Sequence, residues 1–258
     1  MGRALRIHPH AHPETTGAGT RDRPDRIGDG QGAPQTVNPL NAWLYLDRMD
    51  LRRYWPSEAP LPWEEFESRI KSGAISLDEC VFLPPRTRHA FGIALHPERY
   101  LPLIPSITVP QPVAPDLFPL NEPGEDALVL VSANNRLTLD LLVTVWSHGL
   151  TRAYLLLVDC LGHTVDMSMI FGTFTPAKLT EALRSSGLAG RVKHRQMIVP
   201  GLTAPLAGDF RHATGWEVIV GPVCAAEIPL FLGDRWVPPE ETSEGTTPPD
   251  GTAGNDRS

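Results

Sequence analysis

The second half of the chain alternates short unbroken apolar runs with longer amphipathic ones. ALVLVSA at residues 127–133 and AYLLLVD at 153–159 are continuous aliphatic stretches of strand length. They lack the apolar–polar alternation of a half-wet strand, so each is predicted to be buried on both faces. HRQMIVP at 194–200 and GWEVIVGP at 215–222 supply two more strands. Between the first two, LTLDLLVTVWSHG repeats its apolar residues at helical spacing and stops at Gly149. TPAKLTEALRSSG begins with Thr175 as an N-cap and Pro176 in the first turn. AAEIPLFL closes the series as a short helix. Strands and helices in alternation predict an α/β fold: a Rossmann-like, mostly parallel sheet with helices on both faces and right-handed crossovers.

The first half carries a weaker pattern. Residues 1–36 have no apolar periodicity and are rich in Gly, Pro, Arg, Asp and Thr, so a disordered tail is expected. His8, His10 and His12 fall in that tail with nothing to fix their imidazoles, and solvated side chains are expected there rather than a metal site. Residues 37–117 read as a small α+β or irregular region. A short helix is expected near 38–55, a second at PWEEFESRIKSG with Gly73 as its stop, and a strand at ISLDECVFLP. Its aromatic residues (Trp43, Tyr54, Trp55, Trp63, Phe66) read as packing. Prolines from Pro102 to Pro119 make a linker or strap. The α/β domain is expected over 118–236, followed by a polar tail at 237–258.

Composition narrows the function classes. A net charge of -7 gives no general attraction to nucleic acid. The three cysteines, Cys80, Cys160 and Cys224, are scattered, without a CxxC pair, so neither a disulfide framework nor a cysteine-held iron–sulfur cluster is expected in this chain. No apolar run approaches the ~20 residues that span a bilayer, and the first residues lack the core of a signal peptide. A reduced, cytoplasmic protein is expected.

Chemistry is expected at the carboxyl edge of the sheet, where open α/β folds bind ligands. The first strand exits at Ser132, Asn134 and Asn135, the second at residues 159–167, the third at Gly201 and Leu202, and the fourth at Gly221, Pro222, Val223 and Cys224. The stretch VDMSMIFGTFTPAKLTEALRSSG at 165–187 opens irregularly and then enters a helix, which makes 167–174 the first place to look. No GxGxxG, Walker loop or GxSxG elbow is present. Cys160 and Cys224 read as small core or loop residues, with a nucleophilic role as the alternative. The exits thus form a ligand site poor in acid–base groups.

The blocks VLVSANNRLTLD, AYLLLVD, FGTFTPAKLTEAL, HRQMIVPGLTAPL and TGWEVIVGPVCAAEIPLFL, in this order over roughly 127–232, resemble the corrinoid-binding domain of the acetyl-CoA decarbonylase/synthase corrinoid iron–sulfur protein, in the CO dehydrogenase–acetyl-CoA synthase delta-subunit family. They also resemble the corrinoid domain of the mercury-methylation protein, and the GTF at 172–174 looks closer to the latter. The resemblance implies a cobalamin-type cofactor bound base-off over residues 164–174. Its cobalt would take a methyl group from a donor and hand it to an acceptor. It implies a methyltransferase and a ferredoxin-like reductive activator as partners. Carried over by position, it implies that Thr164, Val165, Asp166, Met167, Ser168, Gly172 and Thr173 approach the lower face of the corrinoid. Ser132, Asn134 and Thr138 would meet the ring or its side chains, and Cys224 and Ala225 would form the last contacting loop, with Gly201 nearby.

Three departures qualify the resemblance. Met167 stands where the mercury-methylation proteins carry cysteine and the iron–sulfur proteins threonine. A thioether is a soft, weak ligand, so Met167 is either a weak lower ligand of cobalt or an apolar floor. The four-cysteine cluster motif and the membrane helices of the two relatives are both absent from this sequence. Two alternatives to a soluble methyl carrier therefore stay open: a degenerate or regulatory corrinoid module without turnover, and an unrelated α/β hydrolase-type enzyme using Ser132 or Cys224.

Overall fold

The computed structural model describes residues 45–101 and 110–239. The three tail histidines and the predicted terminal tails, apart from 237–239, lie outside the described residues. All the described residues belong to one compact unit, Val37–Ser258.

Five strands form one sheet in the order β1-β3-β2-β4-β5: β1 (Leu117–Leu120), β2 (Leu128–Ala133), β3 (Ala153–Val158), β4 (Gln196–Val199) and β5 (Glu217–Val220). The four strands read from the sequence pair in parallel, as expected for apolar runs buried on both faces. β1 was not foreseen. It runs antiparallel to β3, pairing Leu117 with Leu156 and Leu120 with Ala153. Four residues containing a proline carry almost no strand signal, and Pro119 is tolerated because β1 is an edge strand.

The main helices are α1 (Trp63–Lys71), α2 (Pro85–Leu95), α3 (Pro97–Tyr100), α4 (Arg136–Ser147), α5 (Val165–Ile170), α6 (Pro176–Ser185), α7 (Ala207–Thr214) and α8 (Ile228–Leu232). The period of two along the strands divides their side chains between two cores. Leu130, Leu155, Leu157 and Ile198 face α4 and α8. Val129, Val131, Leu156, Val158, Met197 and Val199 face α6 and α7, through Leu179, Leu183 and Phe210. Thr175 caps α6 by accepting from the Lys178 amide, as its sequence predicted. His194 Nε2 donates to the Ala127 carbonyl oxygen at 2.9 Å, at the amino edge of β2, opposite the strand exits.

Two expectations in the first half are corrected. ISLDECVFLP is not a strand but a series of turns, in which the Cys80 amide donates to Leu77 O and the Leu83 amide to Cys80 O. Cys80 and Leu83 point inward while Val81 is 80% exposed, a turn-like alternation that a strand pattern mimics. Second, residues 85–95 form α2, which the sequence did not signal because its apolar residues crowd into the last turns. The helix expected near 38–55 is, in its described part, two 3₁₀ turns, Leu46–Arg48 and Leu51–Tyr54.

The first half shares the α4–α8 core. Trp55 stacks on Phe66 with ring centroids 4.1 Å apart, and Phe66 and Phe91 are fully buried. Helix α2 packs on α8 and on the turn before it. Trp236 joins these parts: it lies flat against His89 of α2, meets Trp146 of α4 edge-on at 5.9 Å, and donates its indole N–H to His89 Nδ1. Burial, and then the neighbouring His148, hold the pKa of His89 down, so a neutral ring is there to accept. Gly149 lets this ring in, since a Cβ there would lie 2.5 Å from the Trp236 ring. Truncating a fully buried tryptophan costs about 3–5 kcal/mol. Trp236→Ala should lower the free energy of unfolding by that amount, seen as a lower urea midpoint with an unchanged slope by far-UV circular dichroism.

Candidate functional site

After β2 the chain steps to β3 on one side, then crosses back to β4 on the other side of β2. The helix after β2 and the helices before and after β4 therefore lie on opposite faces. Their departure leaves a crevice at the carboxyl ends of β2 and β4, the switch point at which such sheets bind ligands.

The β2 exit is held by its two asparagines. Asn134 Oδ1 accepts from the Cys160 amide at 2.7 Å and the Gly162 amide at 3.2 Å, and its Nδ2 donates to the Val113 carbonyl. Asn135 Nδ2 donates to Gly162 O at 2.7 Å, and Oδ1 caps α4 by accepting from the Thr138 amide. Gly162 is left-handed, with φ +75°, and a Cβ there would collide with Pro112 at 2.4 Å. The strap at 111–113 is thereby sewn over the loop between β3 and α5. Asn134 is thus engaged with backbone groups, which shape the exit.

A cavity of about 340 Å³ opens at the switch point. Of the residues expected to form a site, Ser132, Thr138, Thr164, Val165, Asp166 and Ala225 line it together. Leu202, expected as a neighbour, lines it too. The others stand outside its wall. Ser168 is fully buried, donating to the Thr164 carbonyl at 2.7 Å. Thr173 Oγ1 pairs with His163 Nδ1. Gly172 is exposed, with φ +64° and open space around it. Gly201 packs against the Pro222–Val223 peptide, where a Cβ would come within 2.7 Å. Met167 is half-buried on α5, beside the cavity-lining Asp166. The segment expected to be irregular before α6 is itself the short helix α5, and it presents its first turn to the cavity.

Sequence reasoning missed the apolar half of the wall. Leu137, Leu141 and Leu142 of α4 and Phe231 and Leu232 of α8 face the cavity from helices that read only as core. It also missed Tyr45, which reaches the cavity from the far end of the chain. Burial, and after it the Asp166 carboxylate, push the Tyr45 phenol up to about 12. Asp166 also accepts from the Thr164 hydroxyl. These three side chains are a polar cluster on a wall that is otherwise largely aliphatic. Among the described residues no histidine, lysine or arginine lines the cavity. Such a wall suits the edge of a large, mostly apolar ligand bearing a few polar substituents and supplies little for proton transfer.

With this geometry in view, the comparisons are specific. The family described as CO dehydrogenase/acetyl-CoA synthase delta subunit matches residues 102–232. The chain belongs to that family. It is 29% identical over 211 residues to the acetyl-CoA decarbonylase/synthase complex subunit gamma of Archaeoglobus fulgidus, covering 80% of this chain and 42% of that one. The same subunit of Methanocaldococcus jannaschii is 28% identical, with 90% of this chain and 49% of that one covered. That of Methanopyrus kandleri is 34% identical over 48% of this chain and 27% of that one. The chain thus spans half or less of the length of the curated relatives it matches. The likeness also extends further toward the amino terminus than the blocks at 127–232 from which it was first read. Among the described residues no helix is long and apolar enough to cross a membrane.

Both cysteines of the strand exits are buried, and burial pushes Cys160 up to about 11 and Cys224 up to about 12. Neutral thiols of this kind are core groups, not nucleophiles. Their shifts also have a stability consequence. Above the ordinary thiol pKa of 9 the unfolded chain releases these protons while the folded chain keeps them. Folding stability is therefore unaffected by these groups below that pH and falls as pH rises toward 12. Urea unfolding should show a loss of stability between about pH 9 and about pH 11, and Cys224→Ala should reduce that loss.

Proposed function

We propose that this chain binds a corrinoid of the cobalamin type in the switch-point cavity and serves as a methyl carrier. The observation that carries the reading is the cavity wall itself: largely apolar, open, framed by four strand exits, and, among the described residues, with Asp166 and Tyr45 as its only ionisable groups. Membership of the CO dehydrogenase/acetyl-CoA synthase delta subunit family and likeness to gamma subunits of the decarbonylase/synthase complex support the same assignment. When bound, the corrinoid supplies a nucleophilic metal centre able to accept and release a methyl group. This chain's residues supply position and burial. The first turn of α5, Thr164 to Asp166, forms the floor; Ser132 and Thr138 offer hydroxyls to polar ring substituents; the α4 and α8 leucines exclude water from one side. Methyl donor, acceptor and electrons come from a methyltransferase and a reductive activator as partner proteins.

The acyl-transfer alternative draws no support from either buried thiol, and among the described residues no imidazole lines the cavity to activate Ser132. A module that holds corrinoid without turnover differs from a carrier only in chemistry, so binding is measured first. Anaerobic incubation with aquocobalamin followed by gel filtration should give stoichiometric cofactor with a base-off spectrum. Thr138→Trp, which fills the cavity from α4, should weaken binding at least about tenfold, or 1.4 kcal/mol, without moving the urea midpoint. A protein that emerges free of cobalamin, or a filled variant that binds like the parent, overturns the assignment. A carrier additionally consumes a methyl donor when a methyltransferase and a reductant are added; a storage or regulatory module does not.

Met167 stands outside the cavity wall, on the turn that forms the floor. This favours a packing role over ligation. Reconstitution with cob(II)alamin should therefore give electron paramagnetic resonance spectra for Met167→Ala that match the parent. A sulfur-dependent change in the cobalt signal would instead make Met167 a ligand.

A further inference from the structure

The last stretch of the cavity wall is held from behind by the first half of the chain. Residues 223–232 supply Val223, Ala225, Ile228, Phe231 and Leu232 to that wall. Where they leave the sheet, backbone bonds fix them: the Gly221 amide donates to Val199 O at 2.9 Å, and the Gly201 amide to Pro222 O at 3.0 Å. Beyond Val223 come only a 3₁₀ turn, Ala225–Glu227, and the five-residue helix α8. Elements this short do not hold their own geometry. Glu227 stands at the joint between them and does not line the cavity. Its side chain, 2% exposed, meets residues 53 and 54 instead. Arg53 Nη2 lies 2.5 Å from Glu227 Oε1, and the Tyr54 hydroxyl donates to the same oxygen at 2.8 Å. Arg53 also donates to the Tyr54 hydroxyl, so the three groups close a triangle. Burial pushes the Tyr54 phenol pKa up, which keeps on the hydroxyl the proton that it donates. The two donors are themselves seated, since Leu51 is buried in the α4–α8 core and Trp55 stacks on Phe66.

We propose that Glu227 is a positioning residue for the cavity: the grip of Arg53 and Tyr54 on its carboxylate fixes Ala225 and Ile228, its neighbours on the wall, in the place a bound ligand requires. Apolar packing is non-directional and would let this short stretch settle in more than one way. A buried carboxylate is satisfied only where both donors reach it. None of the three residues lines the cavity, so they act on a ligand only through the wall. For the identity of that ligand the inference rests on the corrinoid assignment above; for the geometry of the wall it does not.

Two measurements on the full chain keep those statements separate: amide hydrogen exchange of the cofactor-free protein, and the Kd for aquocobalamin of the folded protein. Arg53→Met keeps the apolar stem and removes the charge. It leaves a buried carboxylate short of a donor, and the turn must shift to bring that group to water. Exchange at residues 224–232 should quicken, and cobalamin binding weaken, each by about tenfold or more. Adding Glu227→Gln to Arg53→Met removes the stranded charge and keeps an acceptor for Tyr54, so both readings should return to within about threefold of the parent. Tyr54→Phe deletes one bond and keeps the ring, and should move both by about fivefold, which serves should Arg53→Met fail to fold. Ile70→Ala, in the core of the first half, should lower the urea midpoint and leave the Kd unchanged. Unchanged exchange at 224–232 in the Arg53 and Tyr54 variants overturns the grip on the wall, whatever happens with cobalamin. Faster exchange with an unaltered Kd makes the cluster merely structural and overturns the positioning role. Failure of the double variant to recover also overturns it, because the carboxylate is then not the cause. Faster exchange in a protein whose parent takes up no cobalamin upholds the grip and removes the corrinoid assignment instead.

Discussion

Strand β2 is hydrogen-bonded on both sides by strands that follow it in the chain, and the site follows from that. β3 takes one flank and β4 the other. With right-handed connections, α4 must cover one face of the sheet while α6 and α7 cover the other. The segments leaving β2 and β4 therefore diverge, and a crevice opens between them that no side chain in either core can fill. Asn134 and Asn135 then hold its rim, because their amides satisfy the turn at Cys160 and Gly162. Hydrogen bonding here shapes the opening; the aliphatic faces of α4 and α8 determine what it accepts.

The crevice also explains why the first half of the chain is not a separate piece. The face covered by α4 and α8 would be open on its outer side without α1 and α2. Phe66, Phe91, Leu83 and Trp236 close it within the same core as the β2 and β3 leucines. Once residues 45–101 are committed to that face, their amino end is carried to the mouth of the cavity, where Tyr45 meets Asp166. Packing far from the site thus decides which residue stands at its entrance.

The catalytic poverty of the site is consistent with the family. The curated relatives are subunits of a multi-protein complex, and among the described residues one carboxylate, one phenol and several hydroxyls line this cavity. Burial keeps the two nearby thiols neutral.

Much of this was legible in the residues. The four parallel strands, the helix stop at Gly149, the cap at Thr175 and the exits at Ser132 and Thr164 follow from local rules, because burial on both faces imposes unbroken apolar runs and helix ends demand particular residues. Three features did not follow. The edge strand β1 exists only through β3, since four residues with a proline have no strand preference of their own. The wall of Leu137, Leu141 and Phe231 looks like ordinary core until the topology leaves a gap in front of it. Asn134, a polar residue at a strand exit, carries no local sign of the bonds its side chain makes to the Val113, Cys160 and Gly162 backbone. Periodicity and capping are properties of neighbours along the chain. The contents of the cavity depend on segments nearly two hundred residues apart, and only tertiary packing brings Tyr45 to the same opening as Ala225 and Phe231.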